Sequence, residues 1–230
     1  TERGAEGAVK AYVIPIKQHD PLTTIKMVNK LLGQGVDVSR VSQPFTHEGK
    51  EYAAGSFVVS MAQPKMGVVR WLLGRTFYPD NTYTREANGT PIRPYDMSTD
   101  TMDEFMGVTV DPAATAVNAP MTLLTALVAP AGNVAKGSNG YLLDGKLNDA
   151  IRAVNLLLDK NVAVRRVDRA SGVARAGDFV VDASAPDALV AAAARTTGVD
   201  FVALTIDVSV ASHPVQRQRI AMYERYGGGN

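Results

Sequence analysis

The stretch Lys26-Met-Val-Asn-Lys-Leu-Leu-Gly-Gln-Gly-Val-Asp-Val-Ser-Arg-Val41 reads as an amphipathic helix running into an alternating strand. The chain carries it a second time, as Arg152-Ala-Val-Asn-Leu-Leu-Leu-Asp-Lys-Asn-Val-Ala-Val-Arg-Arg-Val167. Eight of the sixteen positions are identical: Val28/Val154, Asn29/Asn155, Leu31/Leu157, Leu32/Leu158, Val36/Val162, Val38/Val164, Arg40/Arg166 and Val41/Val167. Further on, Gly55-Ser-Phe-Val-Val59 matches Gly177-Asp-Phe-Val-Val181 in four of five positions, and upstream Tyr12-Val-Ile14 parallels Tyr141-Leu-Leu143. Three segments that keep one order and nearly one spacing argue for a duplicated unit.

Each copy reads as β-α-β-β-α. A short apolar run, Ala11 to Ile16 or Gly140 to Leu143, suits a buried strand. Asp20-Pro21 offers a capping carboxylate before a proline at the first helical position, and Asn148 or Asp149 offers the same in the second copy. Ile25, Val28, Leu31 and Leu32, like Ile151, Val154, Leu157 and Leu158, recur at helical spacing. Gly33 and Gly35, or Asn161, end the helix. Strands over Val36–Val41 and Phe57–Met61, or Val162–Val167 and Phe179–Ala183, lead through Pro64 or Pro186 into helices over 65–73 and 187–197. Strands alternating with helices on short connections predict an α/β fold, a mainly parallel sheet with helices on both faces. Between the copies, Phe77 to Tyr95 reads as a surface loop, a helix is expected around Met102 to Met106, and Leu123 to Val128 is a further strand candidate. The boundary is placed near residue 112, giving a first unit over 1–112 and a second over 113–230. Beyond the second copy, Phe201–Leu204 and Arg219–Tyr223 look like strands.

Composition bounds the function. The 24 Lys and Arg against 23 Asp and Glu leave a charge of +1, which argues against a broad basic field for nucleic acid. Cysteine is absent, so thiolate zinc sites, iron–sulfur clusters and cysteine nucleophiles are excluded. The most apolar stretch, Ala119 to Ala131, holds two prolines and is too short to span a bilayer, so no membrane insertion is expected. The chain starts without Met or a leader-like apolar run and stops at Gly227-Gly-Gly-Asn230, so it is expected to be a piece of a longer protein.

Candidate chemistry is sparse. Only His19, His47 and His213 exist, and none has a second histidine within helical reach. His19-Asp20 is the best metal-ligand pair, but the second copy keeps the cap and drops the imidazole, which favours a structural reading. No G-x-S-x-G, G-x-G-x-x-G or phosphate-loop motif occurs. Gly227 and Gly228, after a predicted strand, could open an anion-binding turn at a helix N-terminus, or form a plain tight turn. Phe77-Tyr-Pro-Asp-Asn-Thr-Tyr83 could bind a ligand or pin its own loop, and Trp71, on an apolar helical face with Val68 and Leu72, is expected in the core.

Several phrases together carry a resemblance: Ala11-Tyr-Val-Ile-Pro15 with Gln18-His-Asp-Pro21, Tyr52-Ala-Ala-Gly-Ser-Phe-Val-Val59 with Met61-Ala-Gln-Pro64, Pro94-Tyr-Asp96 leading to Met106-Gly-Val108, and Arg219-Ile-Ala-Met-Tyr223 ending in Gly228-Gly-Asn230. Over nearly the whole chain they resemble the region downstream of the catalytic domain in large bacterial zinc carboxypeptidases of the carboxypeptidase A-like family. That region is similar to a class I glutamine-amidotransferase-like, flavodoxin-type fold. The resemblance implies a secreted or periplasmic parent whose zinc sits in a separate catalytic domain on an H-x-x-E pair and a distant histidine. His19-Asp-Pro-Leu22 is not that pattern, and the cysteine of an active amidotransferase is absent. The resemblance therefore implies an accessory, non-catalytic module without a cofactor of its own, whose partner is the parent's catalytic domain. The rival reading is a free-standing protein that binds a small ligand in the cleft between two duplicated lobes or outside the carboxyl ends of the strands. A hydrolase built from Asp, His and Ser groups distant in sequence is a third.

Overall fold

The computed structural model describes residues 2–75, 79–92 and 101–218, and the chain divides into two compact units, Thr1–Ala129 and Pro130–Asn230. The first holds α1 (Glu2–Glu6), β1 (Ala11–Ile14), α2 (Pro21–Gly33), β2 (Ser39–Val41), β3 (Phe45–His47), β4 (Lys50–Tyr52), β5 (Phe57–Ser60), α3 (Met66–Leu73), α4 (Met102–Met106), β6 (Asp111–Ala113) and β7 (Met121–Leu123). The second holds β8 (Tyr141–Leu143), α5 (Asn148–Leu158), β9 (Val164–Val167), β10 (Phe179–Val181), α6 (Asp187–Thr197), β11 (Val202–Ala203) and β12 (Ser212–Pro214). The boundary read near residue 112 differs from this division because β6 and β7 pair with β1 and β2 of the first sheet. The strand expected over Arg219–Tyr223, with Gly227 and Gly228, lies outside the described residues, as do Pro94-Tyr-Asp96 and the two ends of the Phe77–Tyr95 loop.

The expected parallel, flavodoxin-like sheet is not what forms. The first sheet has the order β6-β1-β5-β2-β7 and the second β11-β8-β10-β9-β12, and every neighbouring pair is antiparallel. The physical reason lies in the strand–strand connections. A parallel pair needs a crossover of a dozen or more residues, usually a helix. Between β9 and β10 the chain only turns, through the bridge between Ser171 and Ala174, and between β2 and β5 it makes the β3–β4 hairpin. Strands joined in this way pair antiparallel. The third strand of each copy then inserts between the first two, which run parallel to each other on either side of it. With β6 or β11 added beside the first strand, each unit has the split β-α-β, ferredoxin-like arrangement of β-α-β-β-α-β.

Helices therefore cover one face of the first sheet, not both. Tyr12, Ile14, Phe57 and Val59 point toward Met27, Val28 and Leu31 of α2 and toward Val69 and Leu73 of α3. The opposite face, with Ala11, Val58 and Ala113, packs under Phe45 of the hairpin, Val117, Ala119 and Met121. In the second unit the face of Leu142 and Val180 packs on Ala174, Leu204, Ile206 and Val208. α5 and α6 pack directly on each other, whereas α2 and α3 each pack on α4.

The two copies reuse the same local devices. Gly35 and Asn161 end α2 and α5 in left-handed conformations, φ 72° and 59°. Gly55 and Gly177 take φ 89° and 95°, which L side chains rarely adopt, and their amides donate to Val41 O and Val167 O at 2.8 Å. Ser56 Oγ accepts from Ile16 N at 3.1 Å, and Asp178 Oδ1 accepts from Gly145 N at 3.0 Å. Arg40 lies over the Phe57 ring at 5.9 Å and Arg166 over Phe179 at 5.5 Å. One start differs from expectation: α5 is capped by Leu147 with no side-chain bond, and Asn148 and Asp149 fall inside its first turn.

Candidate functional site

The residues singled out from sequence resolve into a helix cap. Asp20 is buried, and its Oδ1 accepts the N–H groups of Leu22 and Thr23, each at 3.0 Å, while Oδ2 accepts the Thr23 hydroxyl at 2.8 Å. Proline at the first helical position leaves no amide to satisfy there. His19 is exposed beside it. The preceding Gln18 is clamped, its amide donating to Pro15 O and Thr109 O at 2.9 Å and its Oε1 accepting from Thr109 N at 2.9 Å. Asp20 spends both oxygens on α2, and among the described residues no group of three or more His, Cys, Asp or Glu is placed to hold a metal ion. Gly227 and Gly228 lie outside the described residues.

Two concavities in the first unit are the candidate sites instead. One lies under the β3–β4 hairpin. Glu48 and Gly49 both have positive φ, 47° and 77°, as a two-residue turn of primed type requires. The hairpin's Phe45 and Tyr52 rings stack at 5.0 Å and 21°. Its far side is locked to β6 and the segment after it. Tyr52 OH donates to Asp111 Oδ2 at 3.1 Å, Lys50 Nζ to Asp111 Oδ1 at 2.6 Å, and Thr115 N and Oγ1 donate to Glu48 Oε1 at 2.8 and 2.9 Å. Burial, with the Asp111 and Glu48 carboxylates nearby, pushes the Tyr52 hydroxyl up to about 12, so it stays a donor. The Thr115 hydroxyl holds the Glu48 carboxyl below its usual range. The cleft beneath, of about 450 Å³, is lined by Pro15, Ile16, Lys17, Phe45, Glu51 and Tyr52 among others. An aromatic wall with one cation and one carboxylate can bind a small polar molecule.

The second concavity is a groove of about 490 Å³ on the helical layer, lined by Lys30, Gly67, Val68, Trp71, Leu72 and Met102 among others. Here the structure corrects the placing of Trp71 in the core, since it is 64% exposed. On α3 the core stripe is Val69 and Leu73, one turn apart. Trp71 stands two residues from each, about 200° around the helix, on the outer side. That periodicity was in the sequence and is the signal that could have found the groove.

The second unit places its charged groups in local pairs. Arg175 bridges Asp144 at 2.7 Å and Asp178 at 3.2 Å, and His213 Nδ1 lies 2.7 Å from Asp168 Oδ1 with both side chains about half exposed. Among the described residues no helix is long and apolar enough to cross a membrane. Compared with known proteins, the chain matches no protein-family model, no curated protein and no solved structure.

Proposed function

We propose that the chain is a non-catalytic accessory module of a secreted or periplasmic zinc carboxypeptidase-like protein, one that packs on a catalytic domain or shapes access to it. The observation that supports this reading is where the family-like phrases fall. Gln18 of Gln18-His-Asp-Pro21 clamps the backbone of Thr109, the residue that follows Met106-Gly-Val108. In Met61-Ala-Gln-Pro64 the Gln63 side chain makes the same kind of clamp, accepting from Asp37 N at 2.8 Å and donating to Asp37 O at 3.1 Å. Phrases that build a scaffold suit a module kept for its shape. Zinc and its ligands would belong to the catalytic domain. The test compares this chain with the longer natural protein for release of C-terminal residues from peptides, each with zinc supplied. Activity confined to the longer protein is the expected result, and zinc-dependent release by this chain alone overturns the reading.

The cleft under the hairpin favours a second reading, a small-ligand-binding protein, through the opposite charges of Lys17 and Glu51. A thermal-shift panel of small zwitterions and dicarboxylates, repeated on Glu51→Gln, separates the two.

A further inference from the structure

The helical face of the first unit has features that folding does not require. Trp71 keeps 64% of its surface in water at the mouth of an apolar groove. Gly67 is the second residue of α3, and a Cβ there would meet nothing within 4 Å. Its φ is not in the left-handed region, and glycine weakens a helix relative to alanine. Neither conformation nor packing asks for glycine at this position. Its bare Cα keeps the groove open between Val68 and Lys30.

The two long helices beside the groove carry positive charge. The segments 21–36 and 64–75, which contain α2 and α3, carry Lys26, Lys30, Lys65, Arg70 and Arg75 and no Asp or Glu. On α4, Asp103 is buried, and burial holds its carboxyl above the usual range, while Glu104 is bonded to Arg75 at 2.9 Å and neutralises it, which leaves Lys30, Lys65 and Arg70 in the positive excess.

We propose that this groove docks an acidic amphipathic protein segment, its apolar side chains seated against Val68, Leu72, Met102 and Trp71 and its carboxylates facing Lys30 and the neighbouring cations. A helix laid in an apolar groove is a recurring mode of recognition, and tryptophan is a typical anchor of such contacts. The concave shape favours a segment with projecting side chains over a flat bilayer. The inference goes beyond the accessory-module reading, since it holds whichever protein carries the acidic segment.

Trp71 is the only tryptophan in the sequence, so its emission reports this groove alone. The full chain is titrated with a synthetic amphipathic helix carrying leucines at i, i+3, i+4 and i+7 with glutamates beside them, with the same peptide bearing lysines, and with vesicles of phosphatidylcholine and phosphatidylglycerol. The glutamate peptide is expected to give a saturable blue shift that weakens with salt, and the lysine peptide none. Lys30→Glu weakens binding at least about tenfold. Gly67→Leu fills the groove, abolishes the shift and raises the melting temperature, so its loss of binding is not unfolding. The proposal is overturned if the glutamate peptide gives no saturable shift, if both peptides act alike, if Gly67→Leu binds as the parent chain does, or if only the vesicles shift the emission.

Discussion

The two units share a topology and differ in how their helices meet. In the second, α5 and α6 pack directly on each other, and Ala150, Ala153, Ala193 and Ala194 are all buried. Small residues allow close approach, because the distance between helix axes follows the side chains at the contact. In the first unit the positions matching Ala150 and Ala153 are Thr24 and Met27, and α2 and α3 each pack instead on α4. The groove at Trp71 lies where the second unit has closed its helices. The opposite faces differ too, since the first unit covers its sheet with the β3–β4 hairpin where the second has only a turn at Ser171–Ala174. Duplicated scaffolds need not duplicate function: the shared part is sheet and turn chemistry, and the candidate sites lie where the copies diverge.

The largest expected effect tests whether the units stand as separate cores. Leu31 and Leu157 occupy matching, fully buried positions. Leu31→Ala and Leu157→Ala should each cost about 2–5 kcal/mol, and hydrogen exchange should accelerate only in the unit that carries the change. Equal acceleration in both units for either variant would break the comparison.

Next comes the helix start. Asp20→Ala should lower stability by about 1–2 kcal/mol in urea melts, because it removes a side chain that accepts from two backbone amides. Leu147 stands at the matching cap with extended backbone and no side-chain bond, so Leu147→Asp should raise stability by about 0.5–1 kcal/mol. A loss from that substitution would mean that α5 starts by a different rule.

Among the described residues the hairpin lock has no counterpart in the second unit. Tyr52→Phe should cost about 1 kcal/mol at neutral pH. Because the folded Tyr52 hydroxyl is raised above its ordinary value of 10.0 to about 12, its contribution is full below pH 10 and is lost as pH rises through 12. Alkaline melting curves of Tyr52→Phe should lack that loss between pH 10 and 12, and an unchanged alkaline profile would show that another group causes it.

The smallest effect tests sameness. Arg40→Leu and Arg166→Leu each remove a guanidinium stacked over a phenylalanine, and each should cost about 0.5–1 kcal/mol. Costs that differ by more than this whole range would show that the two stacks are not equivalent.

Much of the element order was legible. α4 falls on the expected Met102–Met106, the second copy runs strand, helix, strand, strand, helix, and the first runs the same with the β3–β4 hairpin inserted before its last strand. Asp20 was legible as a cap because aspartate before proline has a local physical meaning. The hairpin cleft was not legible, since Lys17, Phe45 and Glu51 come together only when the β3–β4 hairpin folds over one face of the sheet and is tied to Asp111 of the edge strand β6. Trp71 shares an apolar stretch with Val68 and Leu72, but the core stripe of Val69 and Leu73 sets the inner side of α3, and Trp71 lies opposite it.

By itself the sequence determined the periodicities, the Asp20 cap, the helix ends at Gly35 and Asn161, the duplication, and the absence of cysteine chemistry. These depend on residues within a turn or two of each other or on composition. Strand direction, strand order and the exposure of Trp71 were decided only in the tertiary structure. A strand's own residues say that it is buried, and hydrogen bonding to a distant partner says which way it runs. Here the third strand of each copy inserted between the first two, and that one placement made both sheets antiparallel.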